Sequence, residues 1–289
     1  MVVALAVVAS SWRASAQPAA SPAEEHRDGA IGSDPAESPG FVAIDRFDAT
    51  SRVGLDIMYL GPHNDIFTDR AIPFRITAHA RYVDPASGLG GYVRMPFAFM
   101  STTDSPTITD FGDLELGGIF APKLGVPGLG MVLHAGVTLP TGESGENEST
   151  LGLAEGLLAL PDFYNSLPRA TTIKLGASPM IRMGAMFARI DLGLDLNDDA
   201  KNRTIGNGIH YNAGIGVDLG QAAVMLESEN LSVLDKHVAN GVYRGGTLNA
   251  LALSTRFNAG TYFSLLIPFD DNTTKFFGIA ITAGAEIRM

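Results

Sequence analysis

Residues 71–82 (AIPFRITAHARY) constrain the fold more than any other feature of this chain. In an extended strand Ile72, Phe74, Ile76, Ala78, Ala80 and Tyr82 share one face, while Pro73, Arg75, Thr77, His79 and Arg81 share the other. One face is apolar or aromatic and the other is polar. The run also lasts the 9–11 residues that a tilted strand needs to cross a bilayer. Strands of soluble sandwiches average only about 5–6 residues.

The same alternation recurs along the chain. Val53, Leu55, Ile57 and Tyr59 oppose Gly54, Asp56 and Met58. Val93, Met95, Phe97 and Phe99 oppose Tyr92, Arg94, Pro96 and Ala98. Leu114, Leu116 and Phe120 oppose Asp113, Glu115 and Gly117, and Met131, Leu133, Ala135, Val137 and Leu139 oppose Val132, His134, Gly136 and Thr138. Ala188, Ile190, Leu192, Leu194 and Leu196 oppose Arg189, Asp191, Gly193 and Asp195. Ile209, Tyr211, Ala213, Ile215, Val217 and Leu219 oppose His210, Asn212, Gly214, Gly216 and Asp218. A charge facing hydrocarbon at the bilayer midplane costs about 2–4 kcal/mol. The apolar faces must therefore point outward to lipid and the charged, glycine-rich faces inward.

Composition agrees. The chain is 46% hydrophobic and 18% charged, against about 25% charged in soluble domains. No apolar run long enough for a membrane helix follows residue 16. There is no cysteine, which excludes disulfides and thiolate metal sites, and the net charge of −11 disfavours nucleic acid.

Connections alternate in length, as periplasmic turns and surface loops do in outer-membrane barrels. The short ones are residues 84–88, 124–130, 219–221 and 258–260. The long polar ones are 101–111, 141–149 and beyond, 197–208, 231–246 and 270–274. The fold class expected is all-β: a single transmembrane antiparallel up-and-down barrel of about 12 strands, with 10–14 compatible, and an even number returns both termini to the periplasm. Residues 151–186 fit least well. Residues 151–160 (LGLAEGLLAL) read as a loop helix or part of a strand, and a phase change between Ile181 and Ile190 reads as a bulge.

The ends divide the chain further. Residues 2–8 (VVALAVV) and the Ala14-Ser15-Ala16 pattern predict a signal peptide over 1–16, although no basic residue lies between Met1 and Trp12, so the true start is expected upstream. Residues 17–50 are expected to form a flexible periplasmic lead-in and 51–289 the barrel. In residues 276–289 (FFGIAITAGAEIRM), Phe277, Ile279, Ile281, Ala283, Ala285, Ile287 and Met289 form one face. This resembles the closing strand that the outer-membrane assembly machinery recognises, with Met289 where an aromatic is usual.

Two segments carry a family resemblance. Phe111-Gly112-Asp113-Leu114-Glu115-Leu116-Gly117, followed by Ala135-Gly136-Val137-Thr138-Leu139-Pro140-Thr141-Gly142-Glu143, resembles the GD-x-x-LG … LPTG-D/E pair of outer-membrane barrels of the phenol-degradation MetA-like, transporter-type family. Ala43-Ile44-Asp45-Arg46-Phe47 is similar to the lead-in of related barrels from myxobacteria-like organisms. The resemblance implies an outer-membrane location and a passive channel or transporter for small, often hydrophobic molecules. The alternative is a closed structural or adhesive barrel acting through its surface loops.

The residues expected to line the lumen, and a permeation path if one is open, are Arg75, His79, Arg81, Arg94, Asp113, Glu115, His134, Arg189, Asp191, Asp195, His210, Asp218, Glu227, Glu229, Glu286 and Arg288. Their acids outnumber their bases, which reads either as a paired ladder filling a narrow barrel or as a weak cation preference. His79, His134 and His210 sit on non-adjacent strands, so no metal site is expected, and no cofactor motif is present. Ser101 and Ser149 have no identifiable His partner, so no catalysis is expected. The acidic stretches 143–148 and Asp270-Asp271 read as solvated loop charge rather than as Ca²⁺ sites. Expected partners are outer-membrane lipid, lipopolysaccharide and the assembly machinery, with no nucleic acid.

Overall fold

The computed structural model describes residues 40–44, 47–62, 72–101, 108–142, 160, 163, 171–198, 206–234, 246–275 and 277–289. All belong to the compact unit Gly32–Met289. The other unit, Met1–Ile31, lies outside the described residues, as do the expected signal peptide and residues 17–39 of the lead-in.

Strands follow one another along the described chain: β1 (Arg52–Pro62), β2 (Ile72–Val83), β3 (Leu89–Ser101), β4 (Ile108–Phe111), β5 (Leu114–Phe120), β6 (Leu129–Leu139), β7 (Thr171–Met183), β8 (Met186–Asp198), β9 (Gly208–Asp218), β10 (Ala222–Val233), β11 (Gly246–Phe257), β12 (Thr261–Pro268) and β13 (Phe277–Arg288). Each pairs antiparallel with its neighbour, β1 pairs with β13, and the β2–β3 pairing closes the sheet on itself. β4 and β5 both pair with β3 and are one strand interrupted at Gly112-Asp113. The wall is therefore a closed antiparallel barrel of 12 strands. Eleven residues, as in β1, rising about 3.3 Å each at a tilt of about 40°, span about 28 Å, enough for the apolar band of about 25 Å that such barrels present to lipid.

The two faces separate as the alternation requires. Leu55, Ile57, Ile190, Leu192, Ile215, Leu226 and Leu253 are exposed on the outside, whereas Asp56, Arg75, Glu115, Asp191, Asn212 and Glu227 are buried inside. An aromatic patch covers the outer face of the first strands. Phe74 stacks on Phe99 at 5.1 Å, and Tyr59, Phe97 and Phe111 extend it at centroid distances of 4.9–6.4 Å.

The short connections lie at one end of the barrel, here the turn end, together with the start of β1 and the end of β13. Every expected short turn is present. A further one corrects the sequence reading: the phase change between Ile181 and Ile190 is not a bulge but a hairpin over Gly184-Ala185, flanked by the pair Met183↔Met186. Gly184 sits at φ 61°, a left-handed backbone that a tight two-residue turn favours. A bulge does occur in β13, where the register against β1 shifts between Gly61 and Pro62. It turns Phe277 inward, fully buried, rather than onto the outer face with Ile279.

The two motif segments meet at the interruption of β4–β5. The Leu114 N–H donates to Thr141 Oγ1 at 2.9 Å, the Thr141 hydroxyl donates to the Gly112 carbonyl at 3.3 Å, and the Gly142 N–H donates to Asp113 Oδ1 at 2.9 Å. Where β6 ends, these bonds take over from the ladder. Residues 143–150 with Ser149, residues 151–159 and Phe276 lie outside the described residues.

Candidate functional site: an occupied bore

The interior is not an open tube. Gly40–Ile44 and the stretch from Phe47 to Thr50 run inside the barrel, with Phe41, Val42, Ile44, Phe47 and Asp48 buried. These residues lie within the stretch 17–50 expected as the periplasmic lead-in. Phe41 lies in a cluster with Phe187, Met225 and Tyr262, edge-on to Phe187 at 5.2 Å. Phe47 packs against Val83, Tyr92, Ile119 and Val132, stacks on His134 at 4.0 Å and meets Tyr92 edge-on at 4.6 Å. The segment thus reaches from the β8–β10 wall to the β2–β6 wall.

Two polar anchors hold it. The N–H groups of Val42, Ala43 and Ile44 all donate to Glu227 Oε2, at 3.1, 2.9 and 3.0 Å. Three donors converging on one carboxylate oxygen replace the water that a buried Glu has lost. The second anchor is Asp48, whose two oxygens each take one guanidinium, Arg52 at 2.7 Å and Arg81 at 2.7 Å. Glu286 continues the network to Arg52 at 2.8 Å and Arg256 at 2.6 Å, and Arg256 also donates to the Phe41 carbonyl at 3.3 Å. Tyr262 donates to Asp56, and His79 lies 3.6 Å from Asp56 and 3.8 Å from Glu286.

The other expected lumen residues form local sets. Glu115 accepts from the Tyr92 hydroxyl at 2.7 Å and from Lys174 at 3.3 Å, with Arg94 at 3.9 Å. Arg189 binds Asp191 and Ser178, and His210 binds Asp195. Glu229 accepts from the N–H of buried Leu160, so the connection between β6 and β7 also reaches the interior. Arg75, Asp113 and Glu286 are buried. Two residues are not in the bore: Arg288 is exposed at the turn-end rim, and Asp218 pairs there with Arg182 at 2.8 Å. His79, His134 and His210 are not brought together, and Ser101 is exposed at the end of β3.

Sequence reasoning missed Asp48, Arg52, Asp56, Lys174, Arg256 and Tyr262 as members of these sets. Asp56, Lys174, Arg256 and Tyr262 continue the inward phase of their strands, so the alternation already marked them. Counting them, nine buried carboxylates face seven buried Arg and Lys side chains among the described residues, which is close to balance. The inward face also turns apolar toward the loop end, with Leu60, Leu231, Val233, Leu248 and Phe277 buried.

At the turn end, above Phe47, lies a cavity of about 420 Å³ between the β2–β3 turn and the β5–β6 turn. Its walls include Val83, Pro122, Leu124, Val126, Met131 and Val132.

No protein-family model and no curated protein matches the sequence. The fold is similar to that of an outer membrane channel from Pseudomonas putida F1, with a TM-score of 0.56 and 10% identity, covering 83% of this chain and 97% of that one. Outer membrane phospholipase A from Escherichia coli aligns with a TM-score of 0.42 and 10% identity over 83% of this chain and 92% of that one. LpxR from Salmonella typhimurium aligns with a TM-score of 0.43 and 9% identity over 83% of this chain and all of that one, 100%. The likeness to the Pseudomonas channel is one of architecture: this chain has the fold of an outer-membrane β-barrel.

Proposed function

We propose that the chain is an outer-membrane barrel, with its turn end and both termini in the periplasm, that passes small solutes once the segment around residues 40–48 leaves the bore. The observation that carries this reading is how that segment is held. Its described residues lie in the interior and are joined to the wall by side-chain anchors at Glu227 and Asp48 and by ring packing of Phe41 and Phe47 rather than by a strand ladder. An element held by side-chain contacts alone can move without opening the sheet. The channel function of the Pseudomonas barrel, which shares the architecture, agrees with this reading. The apolar belt meets outer-membrane lipid and lipopolysaccharide, and β13 is the segment that the assembly machinery engages.

A second reading, a closed structural or adhesive barrel, draws on the near-balanced internal charge and the apolar inner face at the loop end. Planar-bilayer recording separates the two. The chain beginning at residue 17 should be mostly closed, and deletion of residues 17–50 should give conductance steps with at least tenfold greater open time. A folded deletion variant that neither conducts nor makes liposomes leaky overturns the channel in favour of the closed barrel.

A further inference from the structure

We propose that the turn-end cavity is a binding site for a small molecule with an apolar body and a single carboxylate head group. The inference is independent of whether the barrel conducts.

The cavity's volume of about 420 Å³ falls in the range of ligand pockets, about 300–1,000 Å³, which are mostly apolar with a few placed polar groups. Its floor is the Phe47 ring, held in place by His134 and Tyr92, and Met180 and Val132 stand on its wall. The polar groups that line it are unequal. Asp48 already has both oxygens on Arg52 and Arg81. Asp84 is turned onto its own turn, accepting from the N–H groups of Ala86 and Ser87 at 3.2 and 3.1 Å and from the Ser87 hydroxyl at 2.6 Å. The carboxylates of the lining are thus satisfied within the protein.

Arg189 differs. It is buried on the inner wall and lines the cavity, with Nε and Nη2 on Asp191 and Nη2 also on Ser178 at 3.0 Å. Its Nη1 amino group is not engaged by either partner. A guanidinium that lines an apolar pocket, is oriented by two fixed partners and has Nη1 left over is suited to a carboxylate oxygen. Lys123, exposed at the rim beside Asp84, adds a second positive group. A cationic head meets carboxylates that already bond within the protein. Selection in this cavity is therefore for an acceptor and against a donor.

Titration calorimetry of the refolded barrel in detergent, corrected against empty micelles, tests this with phenylbutyrate and its amine counterpart phenylbutylamine. These two probes share the apolar body and differ in the head group. Saturable binding of phenylbutyrate is expected, with phenylbutylamine at least tenfold weaker. Met180→Trp fills the cavity from its wall and should weaken phenylbutyrate at least tenfold. The double variant Arg189→Gln with Asp191→Asn removes the guanidinium and its charge without stranding a carboxylate and should do the same. If the double variant loses the fast-migrating folded band on unheated SDS gels, Met180→Trp alone decides. Equal binding of acid and amine, no binding of either, or phenylbutyrate affinity unchanged by Met180→Trp would each overturn the site.

Discussion

Asp48 answers a problem set by strand register. Arg52 on β1 lies directly opposite Arg81 on β2, both facing inward and both buried. Like charges at such a pair repel, and one carboxylate shared between them, with Glu286 on the far side of Arg52, turns the repulsion into a network. Burial alone would raise the Asp48 carboxyl, but Arg52, Arg81 and the Thr50 N–H together bring it below the ordinary aspartate value. A carboxyl depressed in the folded state contributes stability in full above its unfolded value, about 3.9, and loses it as pH falls through the lower folded value. The Asp48 clamp should therefore be intact from about pH 8 to about pH 5 and weaken only below about pH 4. Asp48→Asn leaves two buried cations sharing less counter-charge, which costs about 3–5 kcal/mol when a buried pair is broken from one side. Urea titration of the folded barrel at neutral pH should show that drop. An unchanged midpoint would mean that the segment is not clamped there. Glycine acts at the same scale: a side chain at Gly214 would overlap the Phe41 ring, and one at Gly117 or Gly136 would overlap Tyr92. That the glycine-rich faces turn inward was legible in the alternation. Which ring each one admits was not, because the ring comes from another strand or from the N-terminal segment.

At the scale of elements, strands were legible wherever one face meets lipid, since each outward residue must be apolar and the period of two then shows. Reading failed where that demand stops. Met183 and Met186 flank a turn yet are themselves apolar and exposed, so the Gly184-Ala185 hairpin looked like a slipped strand. Phe277 lies past the bulge in β13, where an apolar residue serves equally well on either face. The loop between β12 and β13 shows how a polar connection is held. Asp270 accepts from the N–H groups of Asn249 at 2.8 Å, Asn272 at 2.8 Å and Thr273 at 3.0 Å, and from the Thr273 hydroxyl at 2.6 Å. It thereby caps the 3-10 turn Thr273–Lys275 and ties it to the start of β11. Partial burial would raise its carboxyl, but these donors hold it below the ordinary value. Asp270→Ala should cost about 0.5–2 kcal/mol, as loss of a capping side chain does. The effect should stay local, with faster amide exchange at Asn249 and Thr273 while the amides of β9 and β10 keep their protection. Uniform loss of protection would contradict this role.

For the whole molecule, the decisive property is that the protein is inside-out. That was readable from the alternation because lipid imposes it on every strand. The filling of the bore was not, because Val42 and Glu227 are 185 residues apart and no local pattern links a Pro- and Ala-rich lead-in to a carboxylate on β10. Leu253 tests the inside-out claim directly. It is 57% exposed near the middle of β11, beside Leu226 of β10. On a water-facing surface, Leu253→Lys would change stability by no more than about 0.5 kcal/mol. Facing hydrocarbon near the midplane, it should cost about 2–4 kcal/mol. For a barrel folded into liposomes, the urea midpoint should fall accordingly and less protein should reach the fast-migrating form. If the Leu253→Lys substitution left the barrel as stable as the parent in liposomes, this face would lie in water, and the membrane-spanning reading would fail with it.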